Sequence, residues 1–155
     1  MDTYSVTGVA AAVAGAGADE CVFNFWNPDS LKRVRLLEAS AWRNGTVQSR
    51  LVLRRTTTRG TPGSTVTPVA NNAWKGADPP SSGVVLDLSS FSVQPTRVSP
   101  GLLEASFNTG TGTQGMGFIW ASSRGIWVPP GTGICGAHPA TAAGSEFHVT
   151  VVWEE

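Results

Sequence analysis

Apolar side chains recur at every second residue along most of this chain. A period of two is the spacing of a strand with one face buried and the other wet. The C-terminal stretch shows it best: Phe147, Val149, Val151 and Trp153 alternate with Glu146, His148, Thr150 and Glu154. Val47, Leu51 and Leu53 share one face of another run, with Gln48, Arg50 and Arg54 opposite. Met116, Phe118 and Trp120 alternate with Gly117 and Ile119, and Cys21, Phe23 and Phe25 with Val22 and Asn24. An amphipathic helix needs apolar residues three and four apart, and no segment keeps that spacing convincingly. The pattern predicts an all-β protein.

Two segments change phase midway. Val34 and Leu36 are even-numbered, whereas Leu37, Ala39 and Ala41 are odd; Val84, Leu86 and Leu88 are even, then Phe91 and Val93 odd. Each change predicts a bulge or a strand bending from one sheet into another. Between the periodic runs stand turn residues. Asn44-Gly45 predicts a two-residue hairpin, because both central positions of a type I′ turn need positive φ. The turn also accounts for the sequon-like Asn44-Gly45-Thr46. Ser123-Arg124-Gly125 is expected to separate Trp120 from Ile126, and Val128 to Gly133 to separate two further strands. Residues 56–83, with Thr61-Pro62-Gly63-Ser64 and Asp78-Pro79-Pro80-Ser81-Ser82-Gly83, read as one long polar excursion. About eight to ten short strands punctuated in this way predict an antiparallel β-sandwich. The long central connection and the phase switches favour a jelly-roll sandwich, formed as a single domain over residues 1–155.

Function classes fall away in turn. No apolar run reaches the ~18 residues of a membrane span. Val9 to Ala14 has the look of a signal-peptide core, but Asp2, Thr3, Tyr4 and Ser5 precede it in place of basic residues, so secretion is not expected. Cys21 and Cys135 are the only cysteines, and buried thiols in a reducing compartment are the preferred reading. Gly110-Thr111-Gly112-Thr113-Gln114-Gly115 matches the dinucleotide fingerprint, yet it leads into a strand where that motif needs a helix N-terminus. His138 and His148 are the only histidines, and no G-x-S-x-G elbow is present. Cys135 and His138 offer two metal ligands where zinc takes three or four. Neither an enzyme nor a cofactor is expected.

Charge is informative despite a formal net charge of zero. Residues 32–59 hold eight of the eleven basic residues against one acid, Glu38, and so carry +7; three bases and ten acids elsewhere carry −7. If the strands flanking Asn44-Gly45 pair, Arg33, Arg35, Arg50, Arg54, Arg55 and Arg59 gather on neighbouring strands. They would form a basic face for an acidic partner or for the acidic surface of an identical subunit. The competing expectation is ion pairing within the chain to Asp2, Asp19, Glu20 or Glu154. Nucleic acid is not expected, because no aromatic array accompanies the arginines. Trp42, Trp120 and Trp153 fall on apolar strand faces and are expected in the core. Trp74, in the polar run Asn71 to Gly76, is expected to anchor a contact.

The order of these features resembles the jelly-roll decoration or cement proteins of tailed-bacteriophage capsids. The resemblance runs from Val6 to Val13, through the Asn27-Pro28 turn before a basic strand and the Thr/Gly/Pro loop Arg55 to Pro68. It ends with Gly125 to Gly133 and a last strand closing on Trp153-Glu154-Glu155. It implies a non-enzymatic virion protein, made in the host cytoplasm, that forms homotrimers on the outer capsid surface and contacts the major capsid protein. The alternative expectation is a carbohydrate- or receptor-binding module of a phage fibre, using Trp74 and loop residues.

Overall fold

The computed structural model describes residues 2–11, 20–44, 49–68, 80, 82–107, 116–138 and 146–155. They form strands β1 (Thr3–Ala10), β2 (Glu20–Asn27), β3 (Val34–Asn44), β4 (Ser49–Thr56), β5 (Ser64–Val66), β6 (Val85–Leu88), β7 (Leu103–Phe107), β8 (Met116–Val128), β9 (Thr132–His138) and β10 (Glu146–Glu154). Two antiparallel sheets pack together, one ordered β1-β10-β3-β8 and the other β5-β6-β2-β9-β4-β7.

The pairing is nested. β1 pairs with β10, β2 with β9, β3 with β8 and β4 with β7, as in one long antiparallel ribbon. β5 and β6 are inserted at its tip and extend the second sheet beside β2. Folding the ribbon over brings β10 beside β3 and β9 beside β4. Every step from β1 to β4 and from β7 to β10 therefore changes sheets.

Between the sheets, Trp153 is fully buried, stacks on Tyr4 and meets Phe25 at a tilt, with ring centroids 5.5 Å apart in both pairs. Leu36, Leu51, Leu53, Leu86, Ile134 and Val151 complete the centre of this core. A side chain on Gly136 would collide with the Phe23 ring, so only glycine lets that ring lie across β9.

The β10 alternation holds: Phe147, Val149, Val151 and Trp153 face inward. The phase change in β3 is a bulge. Leu36 pairs with Ile126 and Glu38 with Ala121, leaving Leu37 opposite residues 122–125. Gly125 takes φ +61° there, with Leu36 O 2.7 Å from where a Cβ would stand. Ser123-Arg124-Gly125 is thus a bulge within one continuous strand, where the sequence predicted a break between two. The second phase change is a strand end: after Leu88 the chain leaves β6, and Phe91 packs on the outer side of the sheet against Cys21, Cys135 and Ala137.

Three further expectations are corrected. β3 and β4, the strands flanking Asn44-Gly45, lie in different sheets and do not pair. Their partners are strands distant in sequence, which turn chemistry cannot specify; residues 45–48 lie outside the described residues. Cys21 does not share a face with Phe23, because a bulge between them turns Val22 and Phe23 into the main core. Trp42 is not core: with Ala39 and Ala41 inward, its even position points out, and it is 49% exposed. Trp153 is buried and Trp120 packs against the core, as expected. Within the 56–83 excursion, β5 returns to the sheet edge beside β6.

Candidate functional site: the open face of the four-stranded sheet

The register of β1, β10, β3 and β8 sets out a grid on the outer side of this sheet. Its rows are Thr3–Glu154–Arg35–Trp127, Ser5–Val152–Glu38–Ala121, Thr7–Thr150–Ser40–Ile119 and Val9–His148–Trp42–Gly117. Val9, Trp42, Ile119 and Trp127 are 46%, 49%, 59% and 39% exposed, so large apolar surface faces solvent here. Small hydroxyl residues keep the middle flat, and Thr7 and Thr150 hydrogen-bond across strands at 2.8 Å. His148 Nε2 lies 3.0 Å from Glu146 Oε1 at the far end. Between the first two rows the β8 bulge opens a depression of about 470 Å³, lined by Thr3, Leu37, Glu38, Ala121, Ser122, Ser123, Val152 and Glu154.

The first row carries a basic cluster built around Trp127. The Arg33 guanidinium sits 4.5 Å from the centre of the Trp127 ring and that of Arg35 at 5.7 Å. Arg55 reaches over from β4, its Nη1 donating to Trp127 O at 2.8 Å. Arg35 also closes an ion pair with Glu154. The approach to β3 is held by side-chain hydrogen bonds. Asn27, fully buried, donates through Nδ2 to Lys32 O (2.9 Å) and Val128 O (3.2 Å), which ties the entry of β3 to the end of β8. Asp29 Oδ1 accepts from the backbone N–H of Lys32 and Leu31, and those bonds hold its carboxyl below the ordinary range. Arg33 and Trp127 each adjoin these anchored residues, so their contact is set by backbone geometry.

Three of the sequence-predicted site residues, Arg33, Arg35 and Arg55, converge, though across the edge of the sandwich and not along a hairpin. Arg59 does not join them. Its Nε and Nη2 hold the two oxygens of Asp87 at 2.7 and 2.8 Å, and Asp87 is fully buried and also accepts from Thr65 Oγ1 at 2.7 Å. The carboxylate raises the Arg59 pKa by that hydrogen bonding, so this arginine serves the fold. Arg54 is half-buried on the other sheet, in register with Cys135. Arg50 lies on β4 opposite Ser106, with its side chain outside the described ones, and Trp74 lies outside the described residues. The sequence reading missed Trp42 and Trp127 as surface aromatics. For Trp42 the signal was available, because the phase change in β3 turns even positions outward.

Among the described residues no group of three or more His, Cys, Asp or Glu side chains could hold a metal ion. Cys21 and Cys135 are both buried and reduced. A hydrogen bond with Cys21 and then burial push the Cys135 thiol well above its ordinary pKa, the reverse of what a thiolate nucleophile needs. No protein-family model, no curated protein and no solved structure matches the chain.

Proposed function

We propose that the protein is a non-enzymatic structural component of a virus particle, a decoration or cement protein that binds the outer capsid surface. The observation that carries this is the open sheet face, which presents exposed Val9, Trp42 and Ile119 toward one end and the Arg33–Trp127–Arg35–Arg55 cluster at the other. Tryptophan and arginine are enriched at the centres of protein interfaces, because each combines a large contact area with polar groups that still find partners. Arginine stacked on an aromatic ring is held in place before binding, which lowers the entropy lost on docking. We read the nested pairing as a jelly roll. The resemblance in feature order supplies the setting, with the major capsid protein as partner and self-association, as a trimer in the resembled class, as the mode.

Density-gradient sedimentation of particles from the native source tests this. The protein should band with the shell subunit in a fixed ratio, and Arg33→Glu with Arg55→Glu should release it while its melting temperature holds. A protein found only in the soluble fraction would overturn the reading. The glycan-binding alternative draws support from Trp42, whose exposed indole beside His148 could stack on a sugar ring. Glycan-array binding lost in Trp42→Ala would favour it.

A further inference from the structure

The open face is of a size to accept another sheet. Four strands about 4.8 Å apart span roughly 19 Å, and a strand of β10's length at about 3.3 Å per residue runs roughly 30 Å. Two such faces packed together bury about 1,100 Å², near the lower limit for a specific interface. The formal net charge of zero sets up no overall repulsion between copies.

The charge pattern selects how two copies would meet. Stacked faces of identical chains are related by a twofold axis lying between them. An axis along the strands would set the basic end of one copy on the basic end of the other. An axis across the strands lays each strand over its own counterpart with the ends exchanged. Arg33, just before β3, and Arg35, at its start, then lie over Trp42 of the second copy, near the end of the same strand. Glu154 likewise lies over His148 of the second copy, at the two ends of β10. Cations meet an aromatic face and a carboxylate meets an imidazole, twice over by symmetry.

We infer that a second copy of this chain occupies the open face, paired about a twofold axis that runs across the strands. This rests on the reading above that the face is a docking surface, and it commits that face in the free protein to a second copy, which the capsid lattice would have to displace. The closed pair differs from the trimer of the resembled class, whose threefold contacts are heterologous.

Sedimentation velocity on the pure full-length protein, taken over a concentration series, should show a monomer–dimer equilibrium. Trp42→Arg sets a cation against Arg33 and Arg35 and should weaken the dimer by about tenfold or more. The double variant Arg33→Glu with Trp42→Arg should recover much of that loss, which a purely structural role for Trp42 would not produce. Both positions are exposed, so circular dichroism and melting should match the parent. A discrete trimer, or a dimer indifferent to Trp42→Arg, would overturn the pairing. A protein that stays monomeric, yet whose binding to purified particles is abolished by Trp42→Arg, would show that the face meets the lattice. Self-pairing then falls while the docking reading stands. If the protein is monomeric and particle binding ignores Trp42, both fall.

Discussion

The outer sides of the two sheets differ in what lies over them. On the six-stranded sheet, residues 89–102 run across as a strap, bonded through Ser89 N to Val22 O, Cys21 N to Gln94 Oε1, Val98 N to Arg55 O and Leu102 N to Leu53 O. Phe91 lies under it against Cys21, Cys135 and Ala137, a second small core. Beside this core, Thr56 Oγ1 donates to Asn24 Oδ1 at 2.9 Å across β9, where a Cβ on Gly133 would stand 2.7 Å from both oxygens. The Arg59–Asp87 pair extends the same network. On the four-stranded sheet, no described residue covers Val9, Trp42 or Ile119. Among the described residues, the long connection covers one face and nothing covers the large apolar side chains of the other. Aromatic side chains among the described residues therefore stabilise the fold on one side and stand exposed on the other.

That contrast makes graded predictions. Phe91→Ala should cost about 3 kcal/mol, the low end for a buried phenylalanine because the strap can settle onto the sheet, measured by denaturant unfolding. Asp87→Asn should cost about 1–2 kcal/mol. Breaking a buried pair usually costs more, but Arg59, 40% exposed, regains water. Thermal melting of Asp87→Asn beside the parent measures this.

The thiol pair gives a pH signature for the covered side. In the unfolded chain Cys135 ionises near its ordinary value, whereas in the fold it keeps its proton to higher pH. This stabilisation is complete below the unfolded value and is lost as pH rises through the folded one. Stability measured by melting should thus decline on the alkaline side, and Cys135→Ala should make that decline shallower.

The smallest effect on the fold belongs to the bare side: Trp42→Ala should shift stability by under about 0.5 kcal/mol. A loss comparable to that of Phe91→Ala would mean that Trp42 is packed, and the comparison would fail.

Much of this contrast was invisible in the sequence, for identifiable reasons. Alternation depends on neighbouring residues only, so the inward set of β10 could be read directly, as could the bulge where β3 changes phase. Cys21 was misread because a bulge one residue long reverses a face without disturbing composition. The arginines were legible as a charged run, but not which of them meet. Arg33 and Arg55 come together only because β3 begins, and β4 and β8 end, at one end of the sandwich, while Arg59 is drawn away by an acid 28 residues on.

The chain's own residues thus determined its class: period-two burial and turn residues permit strands and disfavour helices, since each follows from local geometry. Tertiary structure decided the pairing of those strands. Asn44-Gly45 fits a hairpin as well as a crossing between sheets, and the choice rests on the backbone ladders that β3 makes with β10 and β8, far away in sequence. Tertiary structure likewise decided which tryptophans are surface. Trp42 and Trp153 are equally apolar, and only the position of the second sheet buries Trp153 and leaves Trp42 in water.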